Sequence, residues 1–310
     1  MDNLKKITND FLTYIKEERN LSTHTISAYK HDLNRFINFL KKYDMSLLND
    51  ISNVDRLTIR HFLGSEFERN DNRPGRKNKS ITAKTIAREL ASIKSFFKYL
   101  VQIELIKDNP AMYVKTPKTE KKIPNFVQVG KINELMNMPD ISTIKGKRDR
   151  AILELFYATG IRLSELVSLN IGSVNYHENF IKVIGKGNKE RIVPFGNNAK
   201  NAIDSYLKER GYSWSSDYHI PLFVGNQKKR ISVRTVQYRI EKYLITILGK
   251  NGASPHTLRH TFGTHLLDND ADIRSIQEIL GHSSISSTQI YTNVNPQKMK
   301  EIFKSKHPHA

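Results

Sequence analysis

Pro110, Pro117 and Pro124 fall at seven-residue intervals among Lys115, Lys118, Lys121 and Lys122. No single α-helix can run through this stretch, because each proline removes an amide donor and its ring clashes with the preceding turn. An extended, fairly stiff connector is expected instead. A 310-residue chain cut there is left with two segments, each long enough to bury a core of its own. The expected layout is a domain over residues 1–115, a linker over 116–125 and a second domain over 126–310.

The first segment reads as helical. Ser22 or Thr23 can cap a run with Ile26, Tyr29, Leu33, Phe36, Ile37 and Leu40 at three- and four-residue steps. A second run puts Ile86, Leu90, Ile93, Phe97 and Leu100 on one face, with Lys84, Arg88, Lys94 and Lys98 on the other. Residues 70–80 form a polar loop with four cations. The second segment is mixed. Residues 150–159 read as a buried helix stopped by Gly160, and 163–169 as a short one. Phe180–Ile184 and 191–195 read as strands around a Gly185-Lys186-Gly187-Asn188 turn. Ser232, Ser254-Pro255 and Asp272 can open three more helices, and Gly281 can end the last. A short helix or turn is expected over 287–292. Thus the chain should be two-domain and mostly α, with a small antiparallel sheet.

Charge narrows the function. Fifty Lys and Arg against 31 Asp and Glu give a net +19, a field that favours a polyanionic partner. The surplus is shared, +7 on residues 1–117 and +12 on the rest, so both parts could touch one polyanion. The absence of Cys excludes disulfides, thiolate nucleophiles and Cys-ligated metal sites. No apolar stretch is long enough to span a bilayer; the first residues lead into no apolar run, so no secretory signal and a soluble cytoplasmic protein are expected.

Four groups of residues could do chemistry. In His256-Thr257-Leu258-Arg259-His260, His256 and Arg259 lie three apart near a helix start, where free amides also favour an anion; a structural ion pair fits equally well. Arg162, with Glu165 three residues on, follows Gly160 directly enough to serve a site, although a local Arg–Glu pair at a helix start explains both. Lys186 sits between two glycines at a hairpin tip, either reaching into a groove or simply solvated. His282 follows Gly281, where its charge would suit a helix end. Tyr291 alone carries no weight among 13 tyrosines. The His256-x-x-x-His260 spacing lacks a zinc-protease glutamate, since position 257 is Thr, and no phosphate-binding Gly-Lys loop or dinucleotide fingerprint is present.

Taken in chain order, Arg162, Lys186, His256-x-x-Arg259, His282 and Tyr291 resemble the tyrosine recombinase (phage-integrase type) family, and within it the chromosomal Xer recombinases. The runs Ser22-Thr23-His24-Thr25-Ile26-x-x-Tyr29, His265-Leu266-Leu267-Asp268-Asn269, Gln277-Glu278-Ile279-Leu280-Gly281-His282-Ser283-Ser284-Ile285 and Thr288-Gln289-Ile290-Tyr291-Thr292 extend the likeness over nearly the whole chain; the basic loop at 70–80 departs from it. The resemblance implies an all-helical, SAM-like core-binding domain and an α+β catalytic domain clamped around a double-stranded DNA recombination site. It implies Tyr291 as nucleophile, Arg162 and Arg259 on the non-bridging oxygens, His256 and His282 as hydrogen-bond donors, Lys186 as general acid and Glu165 in support. Lys84, Arg88, Lys94, Lys189 and Arg234 become candidate DNA contacts. Neither metal nor cofactor is needed, because each phosphodiester is exchanged for a phosphotyrosyl ester of similar energy. The implied assembly is a homo- or hetero-tetramer with a second recombinase. Its partners would include a septal DNA translocase, and the tail after Tyr291, with Met299, Ile302 and Phe303, would dock on a neighbouring subunit. Chromosome or plasmid dimer resolution is the expected role; a mobile-element integrase, a type IB topoisomerase and a catalytically dead DNA-binding regulator are the alternatives.

Overall fold

Several helices in this chain start where a short polar side chain accepts an otherwise unpaired amide. Ser22 takes the Thr25 amide at 3.2 Å, Asp55 that of Thr58 at 2.7 Å, Ser232 that of Thr235 at 3.1 Å and Asp272 that of Ser275 at 3.0 Å. The computed structural model describes residues 2–71, 79–118, 125–185, 190–214, 217–249, 253–281 and 296–309. The chain divides into two compact units, Met1–Lys122 and Ile123–Ala310.

The first unit holds α1 (Asp2–Glu17), α2 (Thr23–Tyr43), α3 (Arg56–Glu68) and α4 (Ala83–Gln102), with a two-residue antiparallel pair, β1 (Asn70–Asp71) and β2 (Lys79–Ser80), in the basic loop. Its centre is aromatic. Phe36 meets Phe62 edge-on at 5.2 Å and Phe11 meets Phe96 at 5.4 Å, arrangements that favour the ring quadrupoles as well as burial.

The second unit holds α5 (Val129–Asn137), α6 (Ile144–Thr159), α7 (Leu163–Ser168), β3 (Val174–Asn175), β4 (Phe180–Ile184), β5 (Glu190–Pro194), α8 (Asn197–Glu209), α9 (Val233–Leu248), α10 (Pro255–Asp268), α11 (Ile273–Leu280) and α12 (Pro296–Lys306). Residues 151–159 of α6 are all buried, as befits a helix apolar on every side. It starts six residues earlier than the sequence spacing suggests, because Thr143 accepts the Gly146 amide at 3.0 Å. The sheet is antiparallel in the order β3-β4-β5, with Ile184 opposite Glu190. In β4, Ile181 and Val183 face the core and Lys182 and Ile184 face out. Ser254 stands at the start of α10 as expected, yet its hydroxyl pairs with that of Thr257 rather than capping an amide.

The tail packs on the second core. In the single chain its apolar side is covered by its own unit. Phe303 is buried in the second core and Ile302 packs against it. His307 stacks on Phe303 at 4.6 Å and lies 4.8 Å from Tyr157, while His309 reaches Glu154 at 3.3 Å and Asn133 at 3.1 Å. Asn269 closes the contact by donating to the Lys306 carbonyl at 2.7 Å. The side chain of Met299 and the stretch over 287–292 lie outside the described residues.

Candidate active site

The site begins where α6 stops. Gly160 has φ +56°, and a Cβ there would come within 2.5 Å of the Phe262 ring, so both backbone and space require glycine. Ile161 is fully buried and anchors the turn. Arg162 then opens α7, and the Glu165 carboxylate, three residues on, accepts the Arg162 amide at 2.7 Å.

Glu165 is the hub. It is 5% exposed and accepts the Arg162 guanidinium at 3.0 Å and both terminal nitrogens of Arg191 at 2.9 Å. Burial alone would raise this carboxyl, but the bidentate Arg191 pair and the Arg162 amide and side chain outweigh it and hold the group below its ordinary value. Arg191, on β5, was not among the residues the sequence singled out. The available signal was a cation directly before the apolar pair Ile192 and Val193 in a strand.

Arg259 comes from α10, and its guanidinium donates to the Gly160 carbonyl and, at 2.6 Å, to that of Leu280. Arg162 donates to the Gly281 carbonyl at 2.7 Å and Arg191 to that of Ile279 at 3.2 Å. Three guanidiniums therefore hold three successive carbonyls at the C-terminal end of α11, where such groups lack helical partners and the helix dipole is negative. Burial first, then repulsion from Arg162 and Arg191, brings the Arg259 pKa down to about 10, which leaves it cationic at neutral pH. Three cations, of which Arg162 and Arg191 pair with the single carboxylate of Glu165, make a site with unbalanced positive charge. Such an array suits an anion with several oxygens, such as a phosphodiester.

His256 is exposed on α10, three residues before Arg259. Lys186, Lys189, His282 and Tyr291 lie outside the described residues. Among the candidate DNA contacts, Lys84 and Arg234 are exposed. Arg88 is also exposed on one side and pairs with buried Asp32 on the other. Lys94 has a use within its own unit, its ammonium donating to the Val114 carbonyl at 2.9 Å.

Comparison with known proteins is decisive. Residues 125–298 match the phage integrase family, and residues 8–103 match the phage integrase N-terminal SAM-like domain. The chain belongs to the phage integrase family. A tyrosine recombinase XerC of Syntrophus aciditrophicus is 42% identical over 316 residues, covering 99% of each chain. A XerD of Staphylococcus haemolyticus is 35% identical, covering 99% of this chain and 100% of its own. The chain is thus a site-specific tyrosine recombinase of the Xer type, an enzyme with a tyrosine nucleophile. In fold it is similar to a XerH site-specific recombinase solved with its difH substrate in a pre-cleavage complex (TM-score 0.64, 21% identity, 95% of this chain and 82% of that one). For this phage-integrase member, the SAM-like and catalytic domains expected from sequence are the ones found, and no helix among the described residues is long and apolar enough to cross a membrane.

Proposed function

We propose that this recombinase cuts and rejoins a duplex recombination site with Tyr291 as its nucleophile. The Tyr291 oxygen forms a bond to the scissile phosphorus and gives up its proton, with His256 as acceptor. The bond from phosphorus to the 5′-oxygen breaks, leaving a 3′-phosphotyrosyl link, and Lys186 protonates the departing oxygen. Arg162 and Arg259 hold the non-bridging oxygens as charge builds, with His282 adding a hydrogen bond. Glu165 sets the arginines. Rejoining is the reverse with a new 5′-hydroxyl.

The observation that carries this reading is the network of Arg162, Arg191 and Arg259, two of them paired with Glu165 and all three donating to carbonyls at the end of α11. Full-length identity to XerC and XerD proteins favours dimer resolution in a tetramer with a second recombinase over mobile-element integration or topoisomerase activity. Lys84, Arg88, Lys189 and Arg234 are proposed as phosphate contacts. The α12 tail, docked on its own unit in the single chain, would exchange onto a neighbour in that assembly. The test is Tyr291→Phe, which keeps the ring and removes the attacking oxygen. Covalent protein–DNA adduct should vanish while DNA binding persists; an adduct on another tyrosine would refute the assignment.

A further inference from the structure

Arg191 occupies a place in this site that neither substrate binding nor core packing explains. Its side chain is 15% exposed, less than half the 38% of Arg162. Its two terminal nitrogens are both directed at Glu165 and its Nε at the Ile279 carbonyl. The guanidinium also lies against Gly281. A Cβ on that residue, whose φ is +65°, would stand 3.1 Å from the Arg191 Cζ, so glycine there allows the close approach as well as the turn. Three separate segments converge on this one side chain: β5, the Arg162–Glu165 helix start, and the end of α11.

A lysine could not do the same. Its point charge makes one directed contact at a time, whereas the planar guanidinium grips both carboxylate oxygens and still has Nε for the carbonyl. With both its oxygens fixed by Arg191, Glu165 can take the Arg162 guanidinium and amide in only one orientation. We infer that Arg191 is a positioning residue for strand cleavage, setting the Arg162 guanidinium through Glu165 and fixing the α11 end through the Ile279 carbonyl. The inference rests on the proposed reading of Arg162 as a phosphate-binding group. Arg191 acts on transition-state charge and not on departure of the 5′-oxygen, because its contacts run to Glu165, which holds Arg162, and to the end of α11.

The experiment uses the full-length protein and a nicked suicide duplex, with single-turnover formation of the covalent adduct as readout. Arg191→Met should slow adduct formation on the order of 10- to 100-fold, the cost of a misplaced reacting group, while the dissociation constant for the site stays within about threefold, well short of the tenfold step that 1.4 kcal/mol would bring. Arg191→Lys, which keeps the charge and nearly the volume, should stay slow and covers the case in which Arg191→Met does not fold. In a Glu165→Gln background, Arg191→Met should cost little more, because the two act in series. Replacing the bridging 5′-oxygen with sulfur, which can leave unprotonated, should not restore Arg191→Met. Wild-type cleavage by Arg191→Lys, additive effects with Glu165→Gln, or rescue by sulfur would each overturn the inference. An Arg162→Ala control separates the two levels. If it forms adduct at the unmodified rate, the underlying reading fails; if it is slow and Arg191→Lys cleaves normally, only this inference fails.

Discussion

Each unit of this recombinase buries glutamates among arginines, and the two arrangements behave in opposite ways. In the first unit, Glu66 and Glu89 share Arg35 and Arg69. Arg35 meets Glu66 at 2.7 Å, and Arg69 meets Glu66 at 2.5 Å and Glu89 at 3.2 Å. Two cations balance two carboxylates. Burial, and then the neighbouring Glu66 charge, push the Glu89 carboxyl up to about 7. In the catalytic unit, Glu165 has the same side chain and is also nearly inaccessible, yet its carboxyl is held low because arginines surround it. Burial raises both groups; the local charge count decides which way each ends. A balanced cluster closes on itself and serves the fold. An unbalanced one holds positive charge ready for an anion, with backbone carbonyls as its partners in the free protein.

A pair of matched substitutions should separate the two clusters most sharply. Glu165→Gln removes the charge that orients Arg162 and Arg191, and adduct formation should fall on the order of 10- to 100-fold. Glu89→Gln should leave cleavage within about twofold, since its carboxyl is half neutral near pH 7 and an amide keeps the hydrogen bonds. Equal losses from the two would erase the distinction drawn between them.

The acid–base behaviour of the two units should also run in opposite directions. The folded pKa of Glu89, about 7, lies above its ordinary value of 4.5, so the folded state binds the extra proton between them. The stability it confers is therefore full below about pH 4.5 and lost as pH rises through 7. Amide exchange in α3 and α4 should quicken from pH 5 to 8 once corrected for intrinsic rates, and Glu89→Gln should flatten that trend. In the tail, burial, then the nearby His309 and His265, bring His307 down to about 3. There the free histidine binds a proton that the docked one refuses. Docking of α12 is therefore full above about pH 6.5 and weakens as pH falls toward 3. Proteolysis of the tail should increase below pH 6, a smaller effect, and His307→Phe, which keeps the aromatic stack, should suppress the increase.

What could be read from the residues alone was local. Ser22, Ser232 and Asp272 cap the helices they precede, and Gly160 and Gly281 end theirs with positive φ. The Arg162–Glu165 pair is an i,i+3 contact, so its spacing announced it. Helix α1 was open to the same reading, since Leu4, Ile7, Phe11 and Ile15 fall at helical steps. Arg191 was not, because its partners lie 26 and 88 residues away and nothing adjacent reports them. Lys94 looked like one more cation on a basic helix face, and only the chain's return at Val114 gave it a backbone partner. The tail's apolar residues were visible, but what covers them in the single chain depends on Tyr157 and Glu154 from α6, far off in sequence.

The central claim is that the unbalanced guanidiniums oppose charge on the scissile phosphate. Replacing one non-bridging oxygen of that phosphate with a methyl group removes the charge they oppose. On the ordinary substrate Arg259→Ala should form adduct on the order of 10²- to 10³-fold more slowly than the unmodified enzyme. On the methylphosphonate substrate that deficit should shrink to about tenfold or less, while Lys186→Ala should gain nothing from the change. An Arg259→Ala deficit of the same size on both substrates would contradict the account.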